Sequence, residues 1–578
     1  MKKLIIKSYN SLSPNGLVYL WLAIWWIANM VVSGVSELAD DEGYYHMYAQ
    51  NLAWGYFDHP PMTALLIWLG ELFFDGEMGL RFFFNLLQPL YLYLFWCTIR
   101  PKDVSRRDAS LYVMISAAML ILQLYGLVAV PDGPLLMFSA LYLYSLKMMG
   151  EDKKLSWLVM GISLGALALS KYHGALVLLF ALLPNILWLV RNPRKIGQMA
   201  LAGVVALVII LPHLWWQYTH DWVSFAYHLS VRNGFFSWSY VTDFIANMLV
   251  VYSPFYLPLW VQAHRKVAAT TPVERALKIY PAAFIIFFTI SSFRGYVQPQ
   301  WTIVAVFGLI WMLFEYTRHH ERTRRYVMRM GWVTLALILI VRIVLMFNPG
   351  GLIRFQVFDN KASYNQIAEV AAGRPVVFGH SYAPPAKYMF YTGGEVYNLA
   401  NIHYRTSQWQ YREDDTSFIG REVILQVDPK VLTDQEKTEQ MKCINLANGH
   451  EFHYIVMENF QSTRKVQITP ENFNLPAEVK AGDKLNFTLK LENPYPYDVV
   501  VDNNDMMLEM VWTWRQQDAN LFAIGNNFTL PAGGSIEVDC EFIVPSTLKP
   551  QPYNVGFTLH NRKMFTWYNS PINNTELK

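Results

Sequence analysis

The chain has 578 residues, of which 53% are hydrophobic and only 16% are charged, whereas soluble domains carry about 25% charged residues. The 47 Lys and Arg residues against 44 Asp and Glu residues give a net charge of +3, which excludes a nucleic-acid binder held by bulk charge and a disordered or fibrous protein. The 3 cysteines exclude a scaffold built on disulfides. The composition predicts a large membrane domain with a soluble part attached.

The apolar run 15–36 contains no charged residue and is long enough to cross a bilayer. Lys2, Lys3 and Lys7 precede it, but a signal peptide has a shorter apolar stretch and is not followed by further spans. Here further apolar runs do follow, at 81–99, 108–126, 133–149, 155–170, 173–190, 199–216, 240–262, 280–293, 299–316 and 328–347. We therefore predict an α-helical polytopic membrane protein with about 11 spans.

The loops between these spans carry an alternating charge pattern. If the N-terminus is cytoplasmic, every loop that should face the cytoplasm is basic, as the positive-inside rule requires. These loops hold Arg100, Lys102, Arg106, Arg107, Lys147, Lys153, Lys154, Arg191, Arg194, Lys195, Arg265, Lys266, Arg318, Arg322, Arg324 and Arg325. An odd number of spans then places the C-terminal part of the chain outside.

The composition changes after the last apolar run. Residues 1–350 are predicted to form the transmembrane domain, with a large first outer loop at 37–80. Residues 351–462 mix a helix-like segment with short apolar strands, which predicts a small extracytoplasmic α/β domain. Residues 463–578 alternate apolar and polar positions between turn signals, as in KLNFTLKLENP and SIEVDCEFIV, which predicts an extracytoplasmic β-sandwich.

Ionisable residues gather at the predicted outer ends of the spans, where charge is costly unless it is solvated or functional. The loop 37–80 contains Asp40-Asp41-Glu42 followed by an aromatic stretch with Tyr45, and then Asp58-His59 before two prolines. The other outward positions are Arg81, Asp132, Lys171 with Tyr172, His220 with Arg232, and Arg294.

Each of these residues also has a structural explanation. Asp40 or Asp41 could cap the N-terminus of a helix, and Asp132 before Gly-Pro is a natural turn residue. Lys171 could extend its ammonium group from a span end to the interface. The functional hypothesis depends on the set as a whole, because carboxylates and cations on several different loops all face one side of the membrane.

The residue types suit one class of chemistry. A carboxylate at the membrane edge can act as general base toward a hydroxyl group, and Arg or Lys beside it can hold a phosphate. Aromatic residues contact sugar faces and lipid interfaces alike. Together they predict transfer of a sugar from a lipid-linked phosphate carrier to a hydroxyl acceptor.

The sequence resembles the bacterial GT-C membrane glycosyltransferases, the family of protein O-mannosyltransferases and lipid A aminoarabinose transferases. The resemblance covers about residues 15–320 and lies in DDEGYYHMYAQNLAWGYFDHPPMTALL, GLRFF, VPDGPLLMF, ALSKYHGALVLL, LPHLWWQYTHDWVSFAYH and RGYVQPQW. It implies an inverting enzyme of the bacterial cytoplasmic (inner) membrane, with a polyprenyl-phosphate sugar as donor substrate and no tightly bound cofactor. The β-sandwich is not part of the family pattern.

The resemblance also implies roles for individual residues. Asp41-Glu42 matches the family's acidic pair, with Asp41 as catalytic base and Glu42 positioning the acceptor or a cation. Arg81, Lys171 and, from its outer loop, Arg294 are expected to bind the donor phosphate. The sugar and acceptor residues are expected to be Tyr45, Asp58, His59, Asp132 and Tyr172. His59 and Gln300 depart from the family, which has Lys and His at these positions.

Other functions remain open at this point. A transporter or flippase of a lipid-linked glycan is the main alternative, although it would call for charges on both faces or at mid-membrane, usually with internal repeats and broken helices. An anchor for the C-terminal domains is a second. A metal-using variant with Asp58, His59 and His220 as ligands is a third. The sugar and the acceptor, which could be a glycolipid, a glycan or a protein, are not defined by the sequence, and membrane lipid is an expected partner.

Overall fold

The computed structural model describes residues 11–231, 236–348, 357–399, 401–412, 414–473, 475–514, 519–564 and 567–578. Contacts between Cα atoms divide the chain into two compact units, Met1–Phe358 and Asp359–Lys578. The first unit is helical and the second is rich in β-strands. We describe each unit separately.

Every apolar run predicted to span the membrane contains helix. The α-helices of the first unit, in chain order, are α1 Pro14–Val35, α2 Asp40–Ala49, α3 Met62–Glu71, α4 Gly76–Ile99, α5 Arg106–Ala117, α6 Leu120–Tyr125, α7 Asp132–Gly150, α8 Ser156–Ser170, α9 Gly174–Leu182, α10 Ile186–Val190, α11 Pro193–Thr219, α12 Val223–Ala226, α13 Trp238–Val251, α14 Leu257–Lys266, α15 Pro272–Ser292, α16 Ala305–Arg318 and α17 Glu321–Phe347. The described part of the chain is therefore a polytopic helical membrane protein in its first unit.

Fewer helices than predicted are long and apolar enough to cross a membrane alone. Within the described ranges these are α1, α4, α11 and α17, and a fifth span results if α13 and the helical segment Pro254–Lys266 are counted together. The count of about 11 spans, set by the length of an apolar run, is not confirmed.

The predicted span 240–262 is broken rather than straight. The two helical segments meet at an angle of 82°, at Ser253, which has a φ of 76°. Pro254 follows, and a proline disfavours the helical conformation in the residue before it. The predicted span 108–126 is likewise divided between α5 and α6.

The outer loop 37–80 is folded and packs on the membrane helices. It holds α2 and α3, and α3 approaches the start of α4 so closely that a Cβ at Gly70 would lie 2.1 Å from the Gly79 carbonyl oxygen. This contact fixes the start of α4, the helix that carries Arg81.

An aromatic-rich core holds the first unit together. Phe95 and Trp96 of α4 are fully buried against Tyr112 of α5 and against Phe307 and Phe314 of α16. This packing places α4, and with it the outer end of the bundle, in a defined position.

The second unit begins with an α/β sheet. Its strands are β1 Val376–Gly379, β2 Val396–Leu399, β3 Val423–Gln426, β4 Lys442–Asn445 and β5 Glu451–Met457, in the order β2-β1-β3-β5-β4. The first three are parallel, and β3, β5 and β4 are antiparallel neighbours. The helices of this part are α18 Asn360–Ala371, α19 Ala383–Thr392 and α20 Asp434–Glu439.

The rest of the second unit consists of mainly antiparallel sheets around one apolar core, in which β15 and β7 pair in parallel. Its strands are β6 Gln467–Glu471, β7 Glu478–Val479, β8 Lys484–Glu492, β9 Val499–Val501, β10 Met506–Thr513, β11 Ala519–Ala523, β12 Phe528–Leu530, β13 Ser535–Ile543, β14 Pro552–Asn561 and β15 Asn573–Leu577. A sheet ordered β11-β10-β14-β15-β7 and a sheet ordered β13-β8-β6 share the core, with β12 paired to β9.

Candidate active site

The acidic cluster lies in the first turn of α2. Ala39, not Asp40 or Asp41, is the N-cap residue, so the three acids occupy the first helical positions. Negative charge is favourable there because it faces the positive end of the helix dipole. Glu42 Oε2 accepts the Ala39 backbone N–H at 3.0 Å, which fixes the side chain at the N-terminus of the helix.

Glu42 forms a buried, two-pronged ion pair with Arg81 of α4. Arg81 Nε donates to Glu42 Oε1 at 2.7 Å and Arg81 Nη2 donates to Glu42 Oε2 at 2.5 Å. The exposed fractions of the two side chains are 3% for Arg81 and 0% for Glu42. Fork-to-fork geometry of this kind is among the stronger interactions that proteins make.

The remaining N–H groups of Arg81 point at the end of α1. Nη1 donates to the backbone oxygens of Ser33 and Ser36, at 3.0 and 2.7 Å, and Nη2 donates to that of Glu37 at 2.9 Å. Every nitrogen of the guanidinium group is thus engaged. These hydrogen bonds position Glu42 and the end of α1, and the phosphate-binding role of Arg81 stays a prediction.

A second buried ion pair joins α7 to the residue that follows α8. Lys171 Nζ donates to both carboxylate oxygens of Asp132, at 2.8 and 3.0 Å. Lys171 does not extend to an interface, since its side chain is 7% exposed, and Asp132 is the first residue of α7 with a partner distant in sequence. Asp132 thus neutralises the Lys171 ammonium group, and the phosphate-binding role of Lys171 stays a prediction.

The two ion pairs are connected through the segment before α7. The Ala129 backbone N–H donates to Glu42 Oε1 at 2.9 Å, and Ala129 is three positions before Asp132. Tyr125 lies within electrostatic range of Asp132, Asp41 and Tyr296. The hydrogen bond from Ala129 therefore links the Glu42–Arg81 pair to the segment that leads into Asp132.

An aromatic and histidine cluster contacts α2. The Tyr45 ring lies 5.4 Å from His59, His59 lies 6.5 Å from His228, and His228 lies 5.3 Å from Tyr172, measured between ring centroids. The structure thus brings together three of the predicted sugar and acceptor residues, Tyr45, His59 and Tyr172, although they come from different parts of the sequence.

Asp58 belongs to the same cluster. It accepts a hydrogen bond from the Tyr48 hydroxyl on Oδ1, and its backbone oxygen lies 2.9 Å from His228 Nε2. Burial, together with the neighbouring Asp58 carboxylate, raises the pKa of Tyr48 well above its ordinary value. Tyr48 therefore stays protonated and acts as a donor to Asp58.

Sequence reasoning missed Tyr48 and His228. Tyr48 is three positions after Tyr45, so the two side chains are neighbours on one helix, and this spacing could have indicated Tyr48 as a site residue. His228 lies within the irregular helical segment Tyr227–Val231, and nothing in its sequence surroundings indicates contact with Asp58.

The remaining predicted site residues lie outside this cluster of buried and aromatic side chains. Arg294 is exposed after α15, and His220 is exposed and stacks on Trp216 at 4.1 Å. Among the described residues, Asp58, His59 and His220 do not form a group within metal-ligand range, and the metal alternative with these ligands stays a prediction. Arg232 lies outside the described residues.

Known proteins resemble this chain in sequence. A family model described as dolichyl-phosphate-mannose-protein mannosyltransferase matches residues 58–216, a stretch that contains Arg81, Asp132 and Lys171 but not Asp41 or Glu42. The lipid A galacturonosyltransferase RgtD of Rhizobium johnstonii is 25% identical over 331 residues. The alignment covers 52% of this chain and 66% of the relative.

Solved structures resemble it in fold. ArnT from Cupriavidus metallidurans bound to undecaprenyl phosphate superposes with a TM-score of 0.56 at 15% identity, over 76% of this chain and 98% of that chain. The apo state of the same protein gives a TM-score of 0.56 as well. The resemblance predicted from the sequence is thus confirmed: the chain is similar in sequence to membrane glycosyltransferases and has the fold of ArnT.

Proposed function

We propose that the protein is an inverting glycosyltransferase that moves a sugar from a polyprenyl-phosphate carrier to a hydroxyl acceptor on the outer face of the cytoplasmic membrane. The observation that carries this proposal is that the buried Glu42–Arg81 pair, next to Asp41 in the chain, is linked through Ala129 to the segment that leads into the buried Asp132–Lys171 pair. The structural relative bound to undecaprenyl phosphate and the lipid A galacturonosyltransferase support a lipid-phosphate donor and a lipid A-like acceptor.

Asp41 is the general base of the proposed reaction. The carboxylate of Asp41 accepts the proton of the acceptor hydroxyl as that oxygen attacks the anomeric carbon. The bond from this carbon to the carrier phosphate oxygen breaks, and the phosphate leaves with the bonding electrons. Attack from the face opposite the leaving phosphate inverts the anomeric centre.

The hydrogen bonds of Glu42 support Asp41, rather than Glu42, in this role. Glu42 Oε1 accepts from Arg81 and from Ala129, Glu42 Oε2 accepts from Ala39 and from Arg81, and the side chain is fully buried. A carboxylate with both oxygens occupied in this way is a poor proton acceptor for a substrate. Asp41 is only partly buried and precedes Glu42 on the same helical turn.

Arg294 is the cation best placed to receive the donor phosphate. Its side chain is exposed, it makes no ion pair among the described residues, and it lies two positions from Tyr296, which is within electrostatic range of Tyr125. A cation that binds the phosphate more tightly as negative charge develops lowers the barrier directly. Lys171 assists by holding Asp132 and placing the adjacent Tyr172 beside the sugar.

Tyr45, His59 and Tyr172 form the proposed sugar wall. Their rings are joined through His228, and Asp58 lies within electrostatic range of Tyr172. Aromatic faces pack against the apolar faces of a sugar ring, while the Asp58 carboxylate and the His59 imidazole can hydrogen-bond to its hydroxyl groups.

The test compares Asp41→Asn with Asp40→Asn, a neighbouring carboxylate of the same helical turn. Purified full-length protein is reconstituted with polyprenyl-phosphate sugar donors and lipid A acceptors, and transfer is followed by mass spectrometry. Asp41→Asn is expected to lower the rate about 100- to 10,000-fold, the range for loss of a general base, while Asp40→Asn retains activity. Near-normal turnover by a folded Asp41→Asn variant would remove Asp41 from the mechanism.

A further inference from the structure

Arg342 is a buried cation within α17, one of the helices long enough to cross the membrane. Its exposed fraction is 8%. Nη2 donates to Asn29 Oδ1 at 2.6 Å and to Gln123 Oε1 at 2.8 Å. These partners are neutral amides, so they orient the guanidinium group without neutralising its charge.

No carboxylate among the described residues pairs with Arg342. The undescribed stretches of the membrane unit, 1–10, 232–235 and 349–356, contain no Asp or Glu residue. An arginine inside the hydrocarbon region costs at least about 2.5–3.5 kcal/mol, and such residues normally pair or reach water. The low exposure of Arg342 and its hydrogen bonds to two amides exclude extension to the interface. The site therefore calls for an anion.

An apolar cavity lies against this arginine. It has a volume of about 290 Å³ and runs between α1, α5 and α17, with walls that include Trp21, Trp25, Met114, Met328, Trp332 and Ile338. Ile24, Trp332 and Leu339 of its lining are also exposed on the outer surface of the bundle, so the cavity opens sideways toward lipid.

The dimensions of the cavity suit one hydrocarbon chain. Positions 328 and 342 of α17 both line it, and their separation corresponds to about 21 Å of helix at about 1.5 Å per residue. One leaflet contributes about half of the 30 Å hydrocarbon core. An acyl chain of about 15 Å therefore fits within the length of the cavity when its head group lies at Arg342.

We propose that this cavity binds an anionic glycerophospholipid, with one acyl chain between α1, α5 and α17 and the phosphate on Arg342. The charge of the phosphate supplies the missing partner, and the apolar walls exclude water from the pair. This site is separate from the proposed catalytic reaction and does not depend on it.

The lipid would also brace the end of α1. Asn29, which accepts from Arg342, donates to Gln88 Oε1 at 2.5 Å. One turn further along α1, the Ser33 oxygen accepts from Arg81. A lipid on Arg342 therefore stabilises the helix on which the Arg81 network rests.

The test is native mass spectrometry of the purified full-length protein with dioleoyl phosphatidylglycerol, dioleoylglycerol or undecaprenyl phosphate added. The variant Arg342→Gln keeps an amide toward Asn29 and Gln123 but loses the charge. The matched control is Arg329→Gln, an exposed arginine of the same helix. Phosphatidylglycerol is expected to bind wild type and Arg329→Gln, with at least a tenfold loss in Arg342→Gln, and dioleoylglycerol is expected to bind at least tenfold more weakly.

Three outcomes would overturn the proposal. Retention of phosphatidylglycerol by Arg342→Gln equal to that by the wild type would show that Arg342 does not bind this lipid. Binding of dioleoylglycerol as tight as that of phosphatidylglycerol would show that the phosphate does not contribute to recognition. Preferential binding of undecaprenyl phosphate at Arg342 would assign the cavity to the carrier rather than to a phospholipid. Sugar transfer, measured separately, distinguishes each of these from failure of the proposed function.

A second and independent observation concerns the hairpin of β4 and β5. Cys443 and His453 are directly paired across the two strands, and Glu451 is two positions before His453, so it shares the same face. One ligand atom from each of the three side chains lies within 4.8 Å of the others. Thiolate sulfur, imidazole nitrogen and carboxylate oxygen are the ligand atoms that zinc prefers.

We infer that this hairpin binds Zn²⁺ through Cys443, Glu451 and His453, with water in the fourth position. The test is calorimetric titration of the reduced full-length protein with Zn²⁺. His453→Ala and Cys443→Ser are expected to weaken binding at least tenfold, whereas Cys540→Ser, at a buried cysteine of β13, leaves it unchanged. Absence of Zn²⁺ binding to wild type, or undiminished binding by His453→Ala, would overturn the inference.

Discussion

The buried pair of Glu42 and Arg81 gives the sharpest prediction about the site. The perturbation is a double-mutant cycle with Arg81→Met, Glu42→Gln and the combined variant. Arg81→Met removes both prongs of the fork and leaves the Glu42 carboxylate with only the backbone N–H groups of Ala39 and Ala129. Glu42→Gln leaves the guanidinium group without a counter-ion in the same buried position.

The magnitude follows from the burial of both partners. Breaking a fully buried ion pair by removing one member costs about 3–5 kcal/mol, because the remaining charge is uncompensated. Arg81→Met also removes the donor from three backbone oxygens at the end of α1. We expect each single variant to lose at least about 3 kcal/mol and the pair to show a coupling energy of about 2–3 kcal/mol, the upper range for residues in contact.

The assay is reversible unfolding of the full chain in mixed micelles of mild detergent and sodium dodecyl sulfate, followed by tryptophan fluorescence. Glu71→Gln is a control, since this partly exposed carboxylate of α3 contacts His46 rather than Arg81. Losses that add within about 0.5 kcal/mol would mean that the two residues are energetically independent, and the positioning role of Arg81 would be refuted.

Three further predictions concern other parts of the molecule. Asp132→Asn leaves the buried Lys171 ammonium group uncompensated and should lower the free energy of unfolding by about 3–5 kcal/mol, with most of the loss recovered when Lys171→Met is added; a purely additive double variant would contradict this. Gly70→Ala should destabilise by about 1–3 kcal/mol in thermal unfolding, because its Cβ would meet backbone 2.1 Å away, whereas Gly197→Ala has nothing within 4 Å and should be neutral or slightly stabilising. Burial alone would raise the pKa of Glu436. Hydrogen bonds from the Thr433 backbone and from the Lys563 and Arg562 side chains outweigh it and lower this pKa from 4.5 to about 2. The stability from Glu436 is therefore full above pH 4.5 and lost as pH falls toward 2, so Glu436→Gln should be less stable than wild type at pH 7 and approach it in unfolding scans near pH 2; a constant difference would refute the assignment.

The helices could be predicted from the sequence because apolar runs of sufficient length have few other stable conformations in a membrane. The sequence also placed the strand faces of the second unit correctly. Phe487, Leu489 and Leu491 of β8 and Cys540 and Phe542 of β13 are buried, as their alternation predicts. The alternation of apolar and polar residues in a strand involves only neighbouring positions, so it can be recognised from a single sequence.

The pairing of charges could not be predicted in the same way. Asp132 and Lys171 are 39 positions apart, and nothing local to Asp132 distinguishes a turn residue from half of a buried ion pair. The partners of Arg81 could not be predicted for the same reason, because they lie on α2 and at the end of α1. The bend at Ser253 could have been predicted from the sequence, because Pro254 disfavours the helical conformation in the residue before it.

The pairing of Arg81 and Lys171 with carboxylates has a consequence for how a donor reaches the protein. Each buried cation stands beside its counter-ion, so the electric field that either pair projects into solution is that of a dipole and falls off rapidly with distance. Ionic screening at about 0.15 M already limits attraction to about 8 Å. Attraction of a carrier phosphate over distance is therefore left to exposed cations such as Arg294, and the salt dependence of initial rates at low donor density should weaken in Arg294→Gln.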